Sequence, residues 1–304
     1  MEFVISEPNI YNRPPHWFAG NSRYETMTDV KFVDDTTLVT ANRMATVLYL
    51  VEFNLPNKSF TILDTIKTVY DGGMTFGPFG YKKSPQVPKF PDLLTVKDQI
   101  VYIAYLDNTI GIVRIHNKKF VEKRIRVLKN TGFYHGITIH PSQNSIVYLS
   151  SAMTSPKLVI ADLSSGHTQD IILPGFKGKP LRQTRFIDET HIISVCGDSL
   201  ISASDHNKVY DSYIGVFIVP SFVCLDTLKF PKTHSDDICV NNGIIYITGQ
   251  SADGPKVFKY TFDGSKLQKI GEIEVEMFPH GIDVRNGILA VTSYAKSSVQ
   301  LIAV

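Results

Sequence analysis

A short unit recurs along this chain: a polar start, an alternating strand, a turn, then a more apolar strand. Its clearest copies are His135-Gly136-Ile137-Thr138-Ile139, followed by Ser145–Leu149, and His280-Gly281-Ile282-Asp283-Val284, followed by Gly287–Val291. Weaker copies start at Thr28, Asp92, Arg182 and Asp236. Self-similarity of this kind marks a repeat architecture. Too few residues follow His280 for a full four-stranded unit; they suffice for strands over Ile282–Val284, Ile288–Thr292 and Ser298–Ala303. The missing strand is available at the opposite end of the chain, in Glu2–Ser6. A ring closed in this way leaves no exposed sheet edge. The expectation is an all-β, six-bladed β-propeller, its last blade closed by the N-terminal strand, with residues 1–304 forming a single domain. A seventh blade would have to come from the longest spacing, between Thr28 and Asp92, whose extra segment is too rich in Gly and Pro for four strands.

The rest of the sequence is consistent with strands. Hydrophobic residues make up 43% of the chain, and Val, Ile, Tyr, Phe and Thr, which favour strands, are abundant. Val33-Asp34-Asp35, Asn241-Asn242-Gly243 and Arg285-Asn286-Gly287 carry hairpin-turn chemistry. No long segment has the i, i+3, i+4, i+7 apolar pattern of a helix.

A formal charge of +2 produces no long-range field, so neither nucleic acid nor a membrane is expected as a partner. The basic run Lys118–Arg126 is interrupted by Glu122 and reads as a solvated strand pair. Cys196, Cys224 and Cys239 form no CxxC pair and read as small apolar fillers, reduced in a cytoplasm. The N-terminus lacks the pattern of a signal peptide, and no apolar run reaches the roughly 18 residues of a membrane span. The expected location is cytoplasmic.

Pro279-His280-Gly281-Ile282-Asp283-Val284, continuing through Val291-Thr292-Ser293-Tyr294 and Val299-Gln300-Leu301-Ile302, resembles an NHL-type propeller repeat. His135–Asp162, ending in Leu158-Val159-Ile160-Ala161-Asp162, is similar to the repeats of lactonase-type (YVTN) propellers. WD40 and kelch signatures are absent: the chain has one Trp and no repeated Trp-Asp or Gly-Gly pair.

In such a ring the start of each inner strand lies on one face, the top, beside the central channel. Three long insertions map to that face: residues 7–27, 71–91 and 197–212. Long loops clustered on one face of a rigid scaffold commonly carry function. These carry His16, Trp17, Phe18, Phe79, Tyr81, His206 and Tyr210, with Trp17, Tyr81 and Tyr210 expected to bind substrate together with Tyr134 and Phe278.

The six unit starts, Thr28, Asp92, His135, Arg182, Asp236 and His280, should line the channel mouth. With 31 Lys and Arg, 29 Asp and Glu and 9 His in 304 residues, six random positions would hold one or two ionisable groups; here there are five. Phe90, Phe133 and Phe278, each two residues earlier, would wall the site. His135, His280, Asp236 and Asp92 are candidate ligands for a divalent metal such as Zn, Fe, Mn or Ca; otherwise no cofactor is expected. His135 and His280 are candidate acid–base groups, and Arg182 is the candidate clamp for a substrate anion. The set resembles that of peptidylglycine amidating lyase, in which channel histidines hold zinc near an arginine. The resemblance implies metal-assisted chemistry at Phe278-Pro279-His280 and Tyr134-His135. Asp236 stands where that family has its third histidine, and the Glu-Gly-Pro tripeptide of gluconolactonase-type propellers does not occur. His116, His140, His167 and His191 fall in turns or outer strands and are expected at the surface.

Two functions fit these features. One is a small-molecule lyase or hydrolase working at the channel mouth; the other is a non-catalytic propeller whose aromatic top loops bind a protein or glycan. A sensor that binds a small molecule without turnover is a third variant.

Overall fold

The computed structural model describes residues 1–4, 27–43, 45–70, 74–77, 80–83, 87–105, 109–121, 128–129, 136–142, 144–150, 157–197, 211–294 and 296–304. Every regular element among them is a strand, and six antiparallel sheets form the blades. Blade 1 runs through Met27–Phe32, Thr37–Asn42, Val47–Asn54 and Ser59–Lys67. Blades 2, 3, 4 and 5 start their inner strands at Pro91, Ile137, Leu181 and Thr233. Blade 6 contains Pro279–Arg285, Ile288–Ser293 and Ser298–Ala303, with Glu2–Val4 as its outer strand.

The ring closes as the repeat implied. Glu2, Phe3 and Val4 pair with Gln300, Val299 and Ser298. The N-terminal ammonium donates to the Leu301 carbonyl at 2.8 Å, and the Leu301 amide donates back to Met1 at 2.7 Å. Inner strands neighbour one another all the way round, blade 6 meeting blade 1.

There is no single central core. Six apolar clusters form instead, each shared by two adjacent blades. Val39, Leu48 and Leu50 of blade 1, for example, meet Leu94, Val101 and Ile103 of blade 2. A sheet covered on both faces buries every position of its inner strands, so Met27–Phe32 and Thr37–Asn42 are buried throughout, whereas the outer strand Ser59–Lys67 is largely exposed. The Asn-Gly hairpins at 242–243 and 286–287 place all four residues at positive φ, the conformation a tight hairpin turn requires.

The structure departs from the sequence reading in three places. The 71–91 insertion is not irregular: Val69–Tyr70 pairs with Val87–Pro88 and Met74–Gly77 with Gly80–Lys83. These short ladders stand apart from the blades, so the four strands make no seventh blade. His140 is not a surface residue. It is buried between blades, its ring 4.7 Å from that of Phe186; a position at the end of a short inner strand faces the next blade rather than solvent. The outer edge of blade 2 is split into Lys119–Phe120 and Leu128–Lys129, and part of the basic run, 122–127, lies outside the described residues. His116 and His167 are exposed as expected, and all three cysteines are free thiols, Cys196 and Cys239 buried and Cys224 half-buried. No helix among the described residues is long and apolar enough to cross a membrane.

Candidate functional site at the channel mouth

The side chains of the unit starts are aimed by a shared backbone device. The inner strands of blades 1, 2, 4 and 6 each carry a register shift at the same place: between Met27 and Asp29, Pro91 and Leu94, Leu181 and Gln183, and Pro279 and Ile282. The residues left out of the ladder include Thr28, Asp92, Arg182 and His280. A bulge bends its strand and re-aims the extra side chain. In blade 5 the inner strand is instead broken into Thr233–His234 and Ile238–Asn241, and Asp236 sits in the break.

These residues converge. His280 Nε2 lies 3.9 Å from Asp92 Oδ1, and Arg182 Nη1 lies 3.9 Å from Asp236 Oδ1. His234 Nε2 meets Asp236 at 2.9 Å. Two residues that the strand starts did not disclose complete the cluster. Arg43 ion-pairs with Asp92, and its Nη1 donates to the Tyr294 hydroxyl at 3.0 Å. The Tyr294 ring stacks on His280 with centroids 5.4 Å apart. Arg43 and Tyr294 follow the second strand of blades 1 and 6, at matching positions of the two repeats. Thr46 and Ser297, three residues further on, share a φ near 54° (53° and 54°). Aligning the repeats through the second strand, rather than the first, would have exposed both residues.

The electrostatics divide the roles. His280 donates from Nδ1 to the Thr28 carbonyl at 2.7 Å, so in the neutral ring Nε2 carries the lone pair. Burial lowers its pKa to about 4 against the opposing pull of Asp236, with Arg43 helping to lower it. His280 is therefore neutral at pH 7. Burial by itself would raise Asp236, but His234 and His280 hold it below the ordinary carboxylate range. Burial also draws the Arg182 guanidinium down, opposed by Asp236. The buried Nε of Arg43 has no acceptor among the described residues.

Below the mouth lies a second polar layer. Lys31 Nζ bridges Asp29 at 2.6 Å and Asp237 at 2.7 Å, and donates to the Ile282 carbonyl at 2.8 Å. Arg185 donates to carbonyls of Ile238, Ile137 and Leu94, so one guanidinium ties blades 5, 3 and 2. Asp29, Gln183 and Asp237 each immediately follow a mouth residue and act as clasps. Asp29 accepts from the Leu94 amide of blade 2, Asp237 from the Ile282 amide of blade 6, and Gln183 donates to Asp237. Blade 6 has Gly281 at this position because blade 1 leaves no room: a Cβ there would sit 2.2 Å from Asp29 Oδ1 and 2.3 Å from Asp29 Cα.

Of the sequence candidates, then, Asp92, Arg182, Asp236 and His280 come together. Phe278 stands beside them, its backbone at φ 53° and its amide bound to Gln250 Oε1 at 2.9 Å. A bulky residue at positive φ is uncommon, and such strain concentrates at functional sites. Tyr81 lies in the strand Gly80–Lys83, which pairs with Met74–Gly77 and belongs to no blade sheet. His135, Tyr134, Trp17 and Tyr210 lie outside the described residues.

The described donors do not fit a resident divalent cation. Asp92 is committed to Arg43, and Asp236 to His234 and Arg182. Two guanidinium groups would repel the ion, and no group of three ligating side chains among the described residues is arranged to hold one.

No family model matches the sequence, and no curated protein matches it. Solved structures match its shape. The WD40 β-propeller domain of Doa1 superposes with a TM-score of 0.60 at 16% identity, covering 93% of this chain and 94% of that one. The WD40 repeats of RRP9 give 0.58 at 9% identity over 99% of each chain. A putative 6-phosphogluconolactonase from Bacteroides uniformis gives 0.56 at 10% identity, covering 91% of this chain and 80% of that one. At such identities the likeness concerns fold alone. The chain is a six-bladed β-propeller, similar in shape to propellers of both the WD40 and the lactonase kind.

Proposed function

We propose that the channel mouth binds a small molecule bearing an anionic group and acts on it as a lyase or hydrolase by acid–base chemistry. The observation that carries this reading is a neutral, largely buried His280 near two carboxylates, flanked by Arg43 and Arg182. Arg43 and Arg182 would grip the anion, for which the planar guanidinium is suited. His280 Nε2 would accept a proton, from a substrate carbon in an elimination or from an attacking water in a hydrolysis, and the imidazolium would return it to the oxygen that leaves with the electron pair of the broken bond. Asp92 and Asp236 would then stabilise the imidazolium. With a pKa of about 4 the free histidine is a weak base. An anion bound to Arg43 would offset one of the charges that lower it and raise its basicity towards the working range. Phe278 and Tyr294 would wall the site and exclude water.

The test combines a mass-spectrometric search for co-purifying small molecules with turnover assays on anionic lactones, esters and hydroxy acids. Product formation lost in Arg182→Gln and His280→Gln supports the reading. A bound anion with no turnover of any candidate would make the protein a sensor. A stoichiometric divalent ion lost in the His135→Ala/His280→Ala double variant would restore the metal-assisted alternative.

A further inference from the structure

One uncharged side chain lies between His234 and His280 at the mouth. The pairs Val30–Thr40, Ile238–Ile247 and Ile282–Val291 occupy the same place in blades 1, 5 and 6. Gln250 of blade 5 therefore stands where blade 1 has Arg43 and blade 6 has Tyr294. Its backbone pairs with that of His234, the residue that holds Asp236. Its side chain crosses to blade 6, where Oε1 accepts from the Phe278 amide at 2.9 Å, just ahead of Pro279 and His280.

The bond to Phe278 bears on the backbone. At φ 53° a side chain is crowded by the following carbonyl, and such a conformation persists only where surrounding contacts over-determine it. The backbone of Glu276–Phe278 is held from two sides. From blade 6, Gln300 Oε1 accepts from the Glu276 amide at 2.8 Å, Ser293 Oγ donates to the Met277 carbonyl at 2.7 Å, and the Tyr294 amide donates to the Phe278 carbonyl at 2.9 Å. From blade 5, Gln250 holds the Phe278 amide. Pro279 follows, with φ fixed by its ring, so a change at Phe278 passes directly to His280. That imidazole has little latitude: Nδ1 donates to the Thr28 carbonyl at 2.7 Å, and the ring stacks on Tyr294.

We infer that Gln250 is a positioning residue of the channel mouth. Its carboxamide keeps Phe278 left-handed, and that conformation delivers the His280 ring to Thr28 and Asp92 with the lone pair on Nε2. Without the acceptor on Gln250, Phe278 relaxes to negative φ and Pro279 carries the ring off the Thr28 carbonyl. The tautomer is then no longer fixed. The catalytic consequence rests on the acid–base reading above; the geometric one does not.

The experiment is NMR of the imidazole nitrogens in the full chain at pH 7, with His280 assigned by its absence in His280→Gln. The wild type should show His280 protonated on Nδ1 alone. Gln250→Leu, which removes the acceptor at similar size, should lose that signature, and Gln250→Glu, which keeps an acceptor, should retain it. Phe278→Gly in the Gln250→Leu background should restore it, because glycine occupies positive φ at no steric cost. A wild-type signature in Gln250→Leu overturns the inference, as does a loss that Phe278→Gly fails to restore. If Gln250→Leu does not fold, the double variant should fold with the signature intact, and its failure to do so overturns the inference. Turnover measured on the same proteins separates the two readings. A tautomer lost in Gln250→Leu, with no turnover in the wild type, sinks the acid–base reading alone. A wild-type tautomer in Gln250→Leu, with turnover abolished in His280→Gln, sinks this inference alone.

Discussion

Two layers of charge lie one above the other along the propeller axis, and they use the same residue types in opposite ways. In the lower layer Lys31 and Arg185 are shared among several carbonyls and carboxylates, and Asp29, Gln183 and Asp237 bind amides or side chains of the next blade. This layer fastens blades together. In the upper layer the Arg182–Asp236 and His280–Asp92 pairs stand 3.9 Å apart, and Arg43 keeps a buried donor without an acceptor among the described residues. Closer pairs, Arg43 with Asp92 and His234 with Asp236 at 2.9 Å, hold the same two carboxylates. The two layers come from consecutive residues, Thr28 and Asp29, Arg182 and Gln183, Asp236 and Asp237, His280 and Gly281. A bulge, or in blade 5 a break in the inner strand, sends the first residue of each pair to the mouth and the next to the interblade contact.

The largest effect should come from breaking the lower layer. Lys31→Met leaves two buried carboxylates without their shared cation and should cost roughly 3–5 kcal/mol of stability, read by urea denaturation. A loss close to zero would remove the distinction between the layers.

The next effect is on pH dependence, where the layers pull in opposite directions. His280 is lowered to about 4 in the folded state, from 6.5, so the unfolded chain binds the proton more readily between those values. Its contribution to stability is present above pH 6.5 and is lost as pH falls towards 4, by roughly 3 kcal/mol in all. Burial raises Asp29 to about 7, with Lys31 opposing and Asp237 adding to the rise. Its contribution is full below about pH 4 and is lost as pH rises through 7. The two partly cancel in the wild type. Subtracting the stability-versus-pH curve of His280→Gln should isolate the upper-layer slope, and two superimposable curves would contradict it.

Gly281→Ala should follow, at about 2 kcal/mol, because the new methyl group meets the backbone and carboxylate of Asp29. Thermal melts would report it, and an unperturbed melting temperature would mean that blades 6 and 1 approach less closely. Smallest in stability is His280→Gln at pH 7. One buried hydrogen bond to Thr28 changes, at a cost of about 1 kcal/mol, yet turnover should disappear. Equal loss of stability and activity would make the upper layer as structural as the lower.

Much of the ring was readable in the sequence because its cause is local. The spacing of the starts and the Asn-Gly turns gave the blades, and the missing strand after His280 called for the chain end at Glu2. Four mouth residues, Asp92, Arg182, Asp236 and His280, were readable because each begins a repeat. Arg43 and Tyr294 were not, because they lie in turns after the second strand, where no apolar periodicity marks the register. The clasps were hidden for a different reason. Asp29 and Asp237 look like ordinary strand residues until a bulge in blade 1 and a strand break in blade 5, both set by pairing with another strand, decide which side chain turns inward. The hairpin inside 71–91 was masked by the glycines and prolines that make its strands short.

The most direct test of the account is an NMR titration of the His280 imidazole. In the wild type it should titrate near pH 4, shift upward in Arg43→Gln and move still lower in Asp236→Asn, since Arg43 lowers it and Asp236 raises it. An ordinary pKa near 6.5, insensitive to both substitutions, would mean that these side chains do not share one buried site.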